Sequence, residues 1–303
     1  MMNELSEKIL KLKKEKNALI VAHLYQCDEI QEIADIVGDS YFLSKKAMES
    51  DKDLIIFCGV KFMAESAKIL SPHKKVLIPS NETTCPMADM ALVDRLENLM
   101  DKHPNAKVVS YINSNLDIKA LSDVCVTSSS AIDILNNLDT EEIIFLPDRN
   151  LGSYLQEQLP NKNFTLYQGF CPTHERIEKE EIIELKKEYP DYLILVHPEC
   201  NKDVRDLADF IGSTSELINY SASSSSNGFI VVTEEGVLYE MKLKSPTKTF
   251  ITTKTGMICP NMKKISLNDL YNCLKNEEFE VHIDEELRVK AHKALENMHL
   301  LSV

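Results

Sequence analysis

Apolar residues are distributed along this chain in two alternating patterns. Near 3–15, 91–103 and 177–189 they recur at helical spacing, as with Leu5, Ile9 and Leu12, which predicts helices that cover a core with one face. Between them lie short β-branched runs such as ALIVAH (18–23), LIIF (54–57) and KVLI (75–78). These are too short for helices and predict buried strands. The order helix, strand, helix, strand, helix, strand then recurs twice more.

The repetition extends to individual side chains. EIQEIAD (29–35) returns as DIKALSD (117–123) and DVRDLAD (203–209), at offsets of 88 and 86 residues. At the same offsets ALIVAH falls on AKVVSY (106–111) and YLILVH (192–197), and LIIF on EIIF (142–145) and GFIV (228–231). KVLI likewise falls on NFTL (163–166) and TFIT (249–252). Four segments in one register mark a triplicated unit. Strands alternating with helices predict an α/β fold of three-layer α/β/α units with parallel sheets. A unit of roughly 87 residues is small to stand alone, so the three are expected to pack around a pseudo-threefold axis. The expected boundaries are 1–83, 84–170 and 171–261, with C-terminal helices in 262–303 packing on the first unit.

Ligands of parallel α/β sheets sit beyond the carboxyl ends of the strands. After the first strand of each unit come His23 and Tyr25, Tyr111 and Asn113, and His197 and Glu199. Members of a pair are two residues apart, which in extended chain puts both on one face. Ser40, Ser128 and Thr214 also correspond, each at an expected helix start. A lone Ser or Thr there is usually a cap, and a lone His at a strand end is usually structural. Three hydroxyls and six polar groups converging on one axis instead predict a receptor for a small polyanionic ligand.

Charge and composition narrow the class. The chain has 34 Lys+Arg against 48 Asp+Glu, a net charge of −14 and no basic stripe, which argues against a nucleic-acid partner. The 8 glycines never fall as G-x-G, so the dinucleotide and phosphate-loop fingerprints are absent. No apolar run approaches the roughly 20 residues that span a membrane, and the charged start, MMNELSEKILKLKKEKN, lacks a signal-peptide core. A cytoplasmic protein with no membrane partner is expected.

Of the 8 cysteines, Cys85, Cys171 and Cys259 each precede a proline, at separations of 86 and 88. One thiol per unit, without a fourth equivalent, is unlike a closed structural zinc site or a four-cysteine cluster. An iron–sulfur cluster held by three cysteines leaves one iron open as a Lewis acid. His174, three residues after Cys171, is either a fourth ligand or a substrate contact; the latter is favoured, because the other units offer no equivalent. Cys58, Cys125 and Cys273 lie in apolar stretches and read as buried hydrophobes. Cys27 and Cys200 lie near the centre but have no counterpart in the second unit, and Met63 and Met87 read as packing. Two rivals remain: a redox sensor or cluster carrier, and a zinc-dependent aldolase-like enzyme.

Taken in order, AHLYQ, GDS, FCGVKFMAESAKIL, TTCPMADM, YINS, TSSSA, FLPDRNLG, HPEC, GSTSEL, TEEG and CPNMKKI resemble the quinolinate synthase family over nearly the whole chain. The resemblance implies three homologous α/β/α domains around a [4Fe–4S] cluster bound by Cys85, Cys171 and Cys259. It implies condensation of iminoaspartate with dihydroxyacetone phosphate to quinolinate, for NAD biosynthesis, with a functional link to L-aspartate oxidase. Substrate-binding positions fall on His23, Ser40, Tyr111, Asn113, Ser128, His197, Glu199 and Thr214. Tyr25 and His174 fall near the reacting groups, and Glu199, Tyr25, His174 and His197 are the proton-transfer candidates. Ser130 stands where many members have Asn, and Leu24 where many have Tyr; neither changes a ligand.

Overall fold

The computed structural model describes residues 4–302 and is built on three four-stranded sheets. The first unit runs α1 (Glu4–Glu15), β1 (Ala18–His23), α2 (Asp28–Ile33), β2 (Ile36–Gly38), α3 (Ser40–Glu49), β3 (Leu54–Cys58), α4 (Lys61–Leu70) and β4 (Lys75–Leu77). The second runs α5 (Pro86–Asp89), α6 (Val93–Lys102), β5 (Lys107–Tyr111), α7 (Leu116–Ala120), β6 (Val124–Val126), α8 (Ala131–Asn137), β7 (Glu142–Leu146), α9 (Arg149–Gln158) and β8 (Asn163–Leu166). The third runs α10 (Pro172–Glu175), α11 (Lys179–Glu188), β9 (Leu193–Val196), α12 (Lys202–Arg205), β10 (Phe210–Ile211), α13 (Thr214–Ser223), β11 (Gly228–Val232), α14 (Val237–Lys244) and β12 (Thr249–Ile251). Two more helices, α15 (Leu267–Asn276) and α16 (Glu285–Leu301), close the chain.

The sheets have one topology, β2-β1-β3-β4, β6-β5-β7-β8 and β10-β9-β11-β12, with every pair parallel. β3 and β11 are buried along their whole length, as strands are when helices cover both faces of a sheet. Each unit has one strand more than the three expected. β2, β6 and β10 are two or three residues long and pair on one side only, too short to show a periodicity of their own.

The aspartate that ends each repeated heptad explains why that segment recurs. The carboxylates of Asp35, Asp123 and Asp209 accept the backbone N–H of Ile20, Val108 and Ile194 at 2.9, 2.8 and 2.8 Å. Their own N–H groups donate to the carbonyls of the same three residues at 2.8, 2.9 and 2.9 Å. Two bonds on one residue thus satisfy the ladder where each edge strand begins.

The middle of the heptad fastens the units together. Gln31, Lys119 and Arg205 occupy equivalent positions and are all buried. Gln31 donates to the Gly236 carbonyl at 3.1 Å, Lys119 to the Phe62 carbonyl at 3.3 Å, and Arg205 to the Asn150 carbonyl at 3.1 Å. The three acceptors are themselves equivalent, at 62, 150 and 236. Unit one therefore grips unit three, unit two grips unit one and unit three grips unit two, a head-to-tail contact that closes after three steps. Burial pushes the Lys119 ammonium down to about 8. Ser66 Oγ at 3.0 Å and the Phe62 ring at 5.1 Å complete its surroundings.

At the C-terminus, α15 packs on α1, and residues 279–281 run beside β4. The last helix, α16, lies across both the first and second units, against α4, α7, β6 and α8.

Candidate active site

His23 ends β1, Tyr111 ends β5 and His197 follows β9, so the three chains turn at the carboxyl ends of their sheets and face one another. They line a single cavity with about 700 Å³ of empty space, counting its open mouth. Tyr25, Ser40, Cys85, Asn113, Ser128, Cys171, His174, Glu199, Thr214 and Cys259 line it too. The fold therefore gathers every residue singled out above for a site. Asp39, Thr173 and Glu234 join them without having been foreseen.

Units one and three make the same turn. The Tyr25 N–H donates to His23 Nδ1 at 3.1 Å, and the Glu199 N–H donates to His197 Nδ1 at 3.3 Å. Accepting at Nδ1 puts the ring proton on Nε2. Burial pushes both imidazoles from 6.5 down to about 3, so each is a neutral N–H donor. Among the described residues no Lys or Arg lines the cavity; an anion there meets neutral donors.

The two buried rings make stability depend on pH. Between pH 6.5 and 3 the unfolded chain protonates these histidines and the folded chain does not, so stability falls as pH falls. The slope is about 1.4 kcal/mol per pH unit for each ring. Unfolding measured from pH 7 to 5, above the ordinary carboxylate range, is expected to show this loss. His23→Gln and His197→Gln should each flatten it, and an unchanged slope in both variants would contradict the neutral assignment.

The hydroxyls at the helix starts are spared capping duty, contrary to the expectation that they lie at the caps. Ser40 and Thr214 are the first residues of α3 and α13, which are capped instead by Asp39 and Ser213. Ser128 lies two residues before Ser130, the residue that precedes α8. Ser215 Oγ donates to Asp39 Oδ2 at 2.6 Å and ties the starts of α13 and α3 together.

One hydrogen-bonded network joins the proton-transfer candidates. His174 Nδ1 lies 2.9 Å from Glu199 Oε2 and 3.2 Å from Cys171 Sγ. His174 Nε2 lies 3.0 Å from Thr233 Oγ1, which is 3.1 Å from the Tyr25 hydroxyl; that hydroxyl lies 2.9 Å from Thr214 Oγ1. The Tyr111 phenol faces both Glu199 and Ser128 in the same cavity. Burial alone would push the Glu199 carboxyl up, but His174, His197 and Tyr111 outweigh it and hold it at about 2. Burial, reinforced by Glu199, holds the Tyr25 and Tyr111 phenols well above their ordinary value. The cavity thus holds an ionised carboxylate together with two protonated phenols. Both nitrogens of His174 are engaged inside the protein, between the two roles considered for it.

The Tyr25 turn needs a close approach between units. A Cβ at Gly236 would come within 2.8 Å of the Leu24 carbonyl, Tyr25 Cα and Lys263 Nζ. Lys263 donates to the Tyr25 carbonyl at 2.8 Å and pairs with the buried Glu234 at 3.1 Å.

The three Cys-Pro turns are also alike. Cys85 and Cys171 precede α5 and α10, with proline at the first turn. The N–H three residues on, of His174 and Met262, donates to the Cys171 and Cys259 carbonyls, each at 3.1 Å, and the Asp89 N–H donates to the Cys85 carbonyl at 3.0 Å. The Cys171 and Cys259 N–H groups donate to Asp148 at 3.2 Å and Glu234 at 3.1 Å; the equivalent position in unit one is Val60. Burial pushes all three thiols up, Cys85 to about 12, so their thiolates call for a cation beside them.

Among the described residues, the ligand atoms of Cys171, His174 and Glu199 lie within 4.8 Å of one another, and no such group contains all three thiols. Sulfurs sharing one zinc would be about 3.8 Å apart. The wider spread fits a multi-iron cluster. Asn113 Oδ1 is buried without a partner in the protein, leaving an open polar position in the cavity that the thiols line.

Comparison with known proteins is consistent along the whole length. A family model described as quinolinate synthetase A protein matches residues 7–300. A quinolinate synthase of Clostridium perfringens is 57% identical over 298 residues, covering 98% of this chain and 99% of the relative. Those of Clostridium acetobutylicum and Clostridioides difficile are 56% and 52% identical, each covering at least 98% of both chains.

Proposed function

The chain belongs to the quinolinate synthase family, and from that premise we propose that it condenses iminoaspartate with dihydroxyacetone phosphate to quinolinate, releasing phosphate and water, in NAD biosynthesis. The observation that carries this reading is one cavity that unites three thiols, one from each unit, with a carboxylate–histidine–tyrosine network.

Cys85, Cys171 and Cys259 would hold a [4Fe–4S] cluster. When bound, the cluster supplies an iron with an open position, a Lewis acid for an oxygen or nitrogen of the reacting molecule. The remaining work falls to side chains. Ser128, Thr214, Tyr111 and Asn113 hold the two carboxylates of the iminoaspartate half. His23 Nε2–H and Ser40, with the first amides of α3, hold the triose phosphate. Glu199, kept ionised, takes the proton that must leave carbon as the ring forms, and Tyr25 donates to a departing hydroxyl. His174 and His197 orient Glu199, through a hydrogen bond to its carboxylate and a turn at its backbone N–H. Iminoaspartate is unstable, which makes L-aspartate oxidase the functional neighbour and the cytoplasm the compartment.

A sensor or carrier has no need of a polar constellation beside its thiols, and the network above favours catalysis. Metal and acid-labile sulfide analysis of anaerobically purified protein is the test. Roughly four irons and four sulfides per chain are expected; zinc without sulfide would favour the aldolase-like alternative.

A further inference from the structure

Thr233 is fully buried, follows β11 and does not line the cavity. Its hydroxyl nevertheless lies between two groups that do, Tyr25 at 3.1 Å and His174 at 3.0 Å. We propose that Thr233 is a positioning residue, whose single hydroxyl couples the Tyr25 phenol to the His174–Glu199 pair and fixes their relative placement.

The coupling follows from geometry. A hydroxyl carries one proton and also accepts, so Thr233 serves as donor to one neighbour and acceptor from the other. The contacts run unbroken from Thr214 through Tyr25, Thr233 and His174 to Glu199. Remove the Thr233 hydroxyl and Tyr25 and His174 each lose a hydrogen-bond partner.

Two features make this assignment specific. Thr233 has no hydroxyl counterpart in the other units, where Gly59 and Pro147 stand. The network it completes crosses a unit boundary, since Tyr25 belongs to the first unit and His174, Glu199 and Thr214 to the third. The hydroxyl thus registers one unit's catalytic side chain against another's.

The inference rests on Tyr25 acting in the proposed reaction, and the test separates the two claims. Thr233→Val keeps the shape and removes the hydroxyl; Thr233→Ser keeps the hydroxyl. In the cluster-loaded enzyme, Thr233→Val is expected to lower kcat about 10- to 100-fold, the scale of a small misplacement near the chemistry. Its KM values should change by less than about twofold, because a residue outside the cavity adds no binding contact. Thr233→Ser should return kcat to within about threefold of wild type, again at unchanged KM. In a Tyr25→Phe background Thr233→Val should cost several-fold less than it does alone, because only its bond to His174 is left to lose. Full activity in Thr233→Val, an equal loss in Thr233→Ser, additive losses in the double variant, or less iron and sulfide in Thr233→Val would overturn the positioning role. Full activity in Tyr25→Phe would instead remove Tyr25 from the reaction.

Discussion

A Glu199→Gln enzyme is expected to retain its cluster and turn over about 10²- to 10⁴-fold more slowly, the range for losing a positioned general base. The carboxylate lies 2.9 Å from His174 Nδ1 and faces the Tyr111 phenol, and it is held ionised despite burial. An amide has one acceptor oxygen and turns an NH₂ toward the other donor. The variant therefore loses the base and sets two donors against each other, at a stability cost of about 1–3 kcal/mol. Turnover equal to wild type, with iron and sulfide intact, would remove Glu199 from acid–base chemistry.

The other large effect lies at the thiols. Cys171→Ala is expected to purify without a full cluster and without measurable turnover. Its sulfur is one of only three, and its loop is already held by Asp148 and by the His174 N–H. Cys58→Ala is the control: that residue is fully buried in the apolar core beneath the first sheet, among Ile20, Ile56 and Cys273. It should keep both cluster and activity. Iron content that falls equally in the two variants would mean that the cluster is not held by the Cys-Pro set.

The features readable from sequence were those that obey the repeat. Offsets of 88 and 86 align His23 and Tyr25 with Tyr111 and Asn113 and with His197 and Glu199, and the units converge because each is too small to stand alone. The Cys-Pro turns became legible by the same logic. What stayed hidden breaks the repeat or depends on contact between units. Thr233 has Gly59 and Pro147 for counterparts, so no offset search selects it. The fastening by Gln31, Lys119 and Arg205 uses three residue types with a common geometry, which becomes visible only when their carbonyl partners are known. The edge strands β2, β6 and β10 are too short to carry a pattern. The engagement of His174 with Glu199, Cys171 and Thr233 depends on how the turn after β9 meets α10 and β11, a tertiary fact with no local signature.

The most direct test of the central claim is quinolinate formation by anaerobically purified, cluster-loaded protein supplied with dihydroxyacetone phosphate and a source of iminoaspartate. The account predicts quinolinate that depends on both substrates and disappears in Cys171→Ala. No quinolinate from protein with its iron and sulfide confirmed would contradict it.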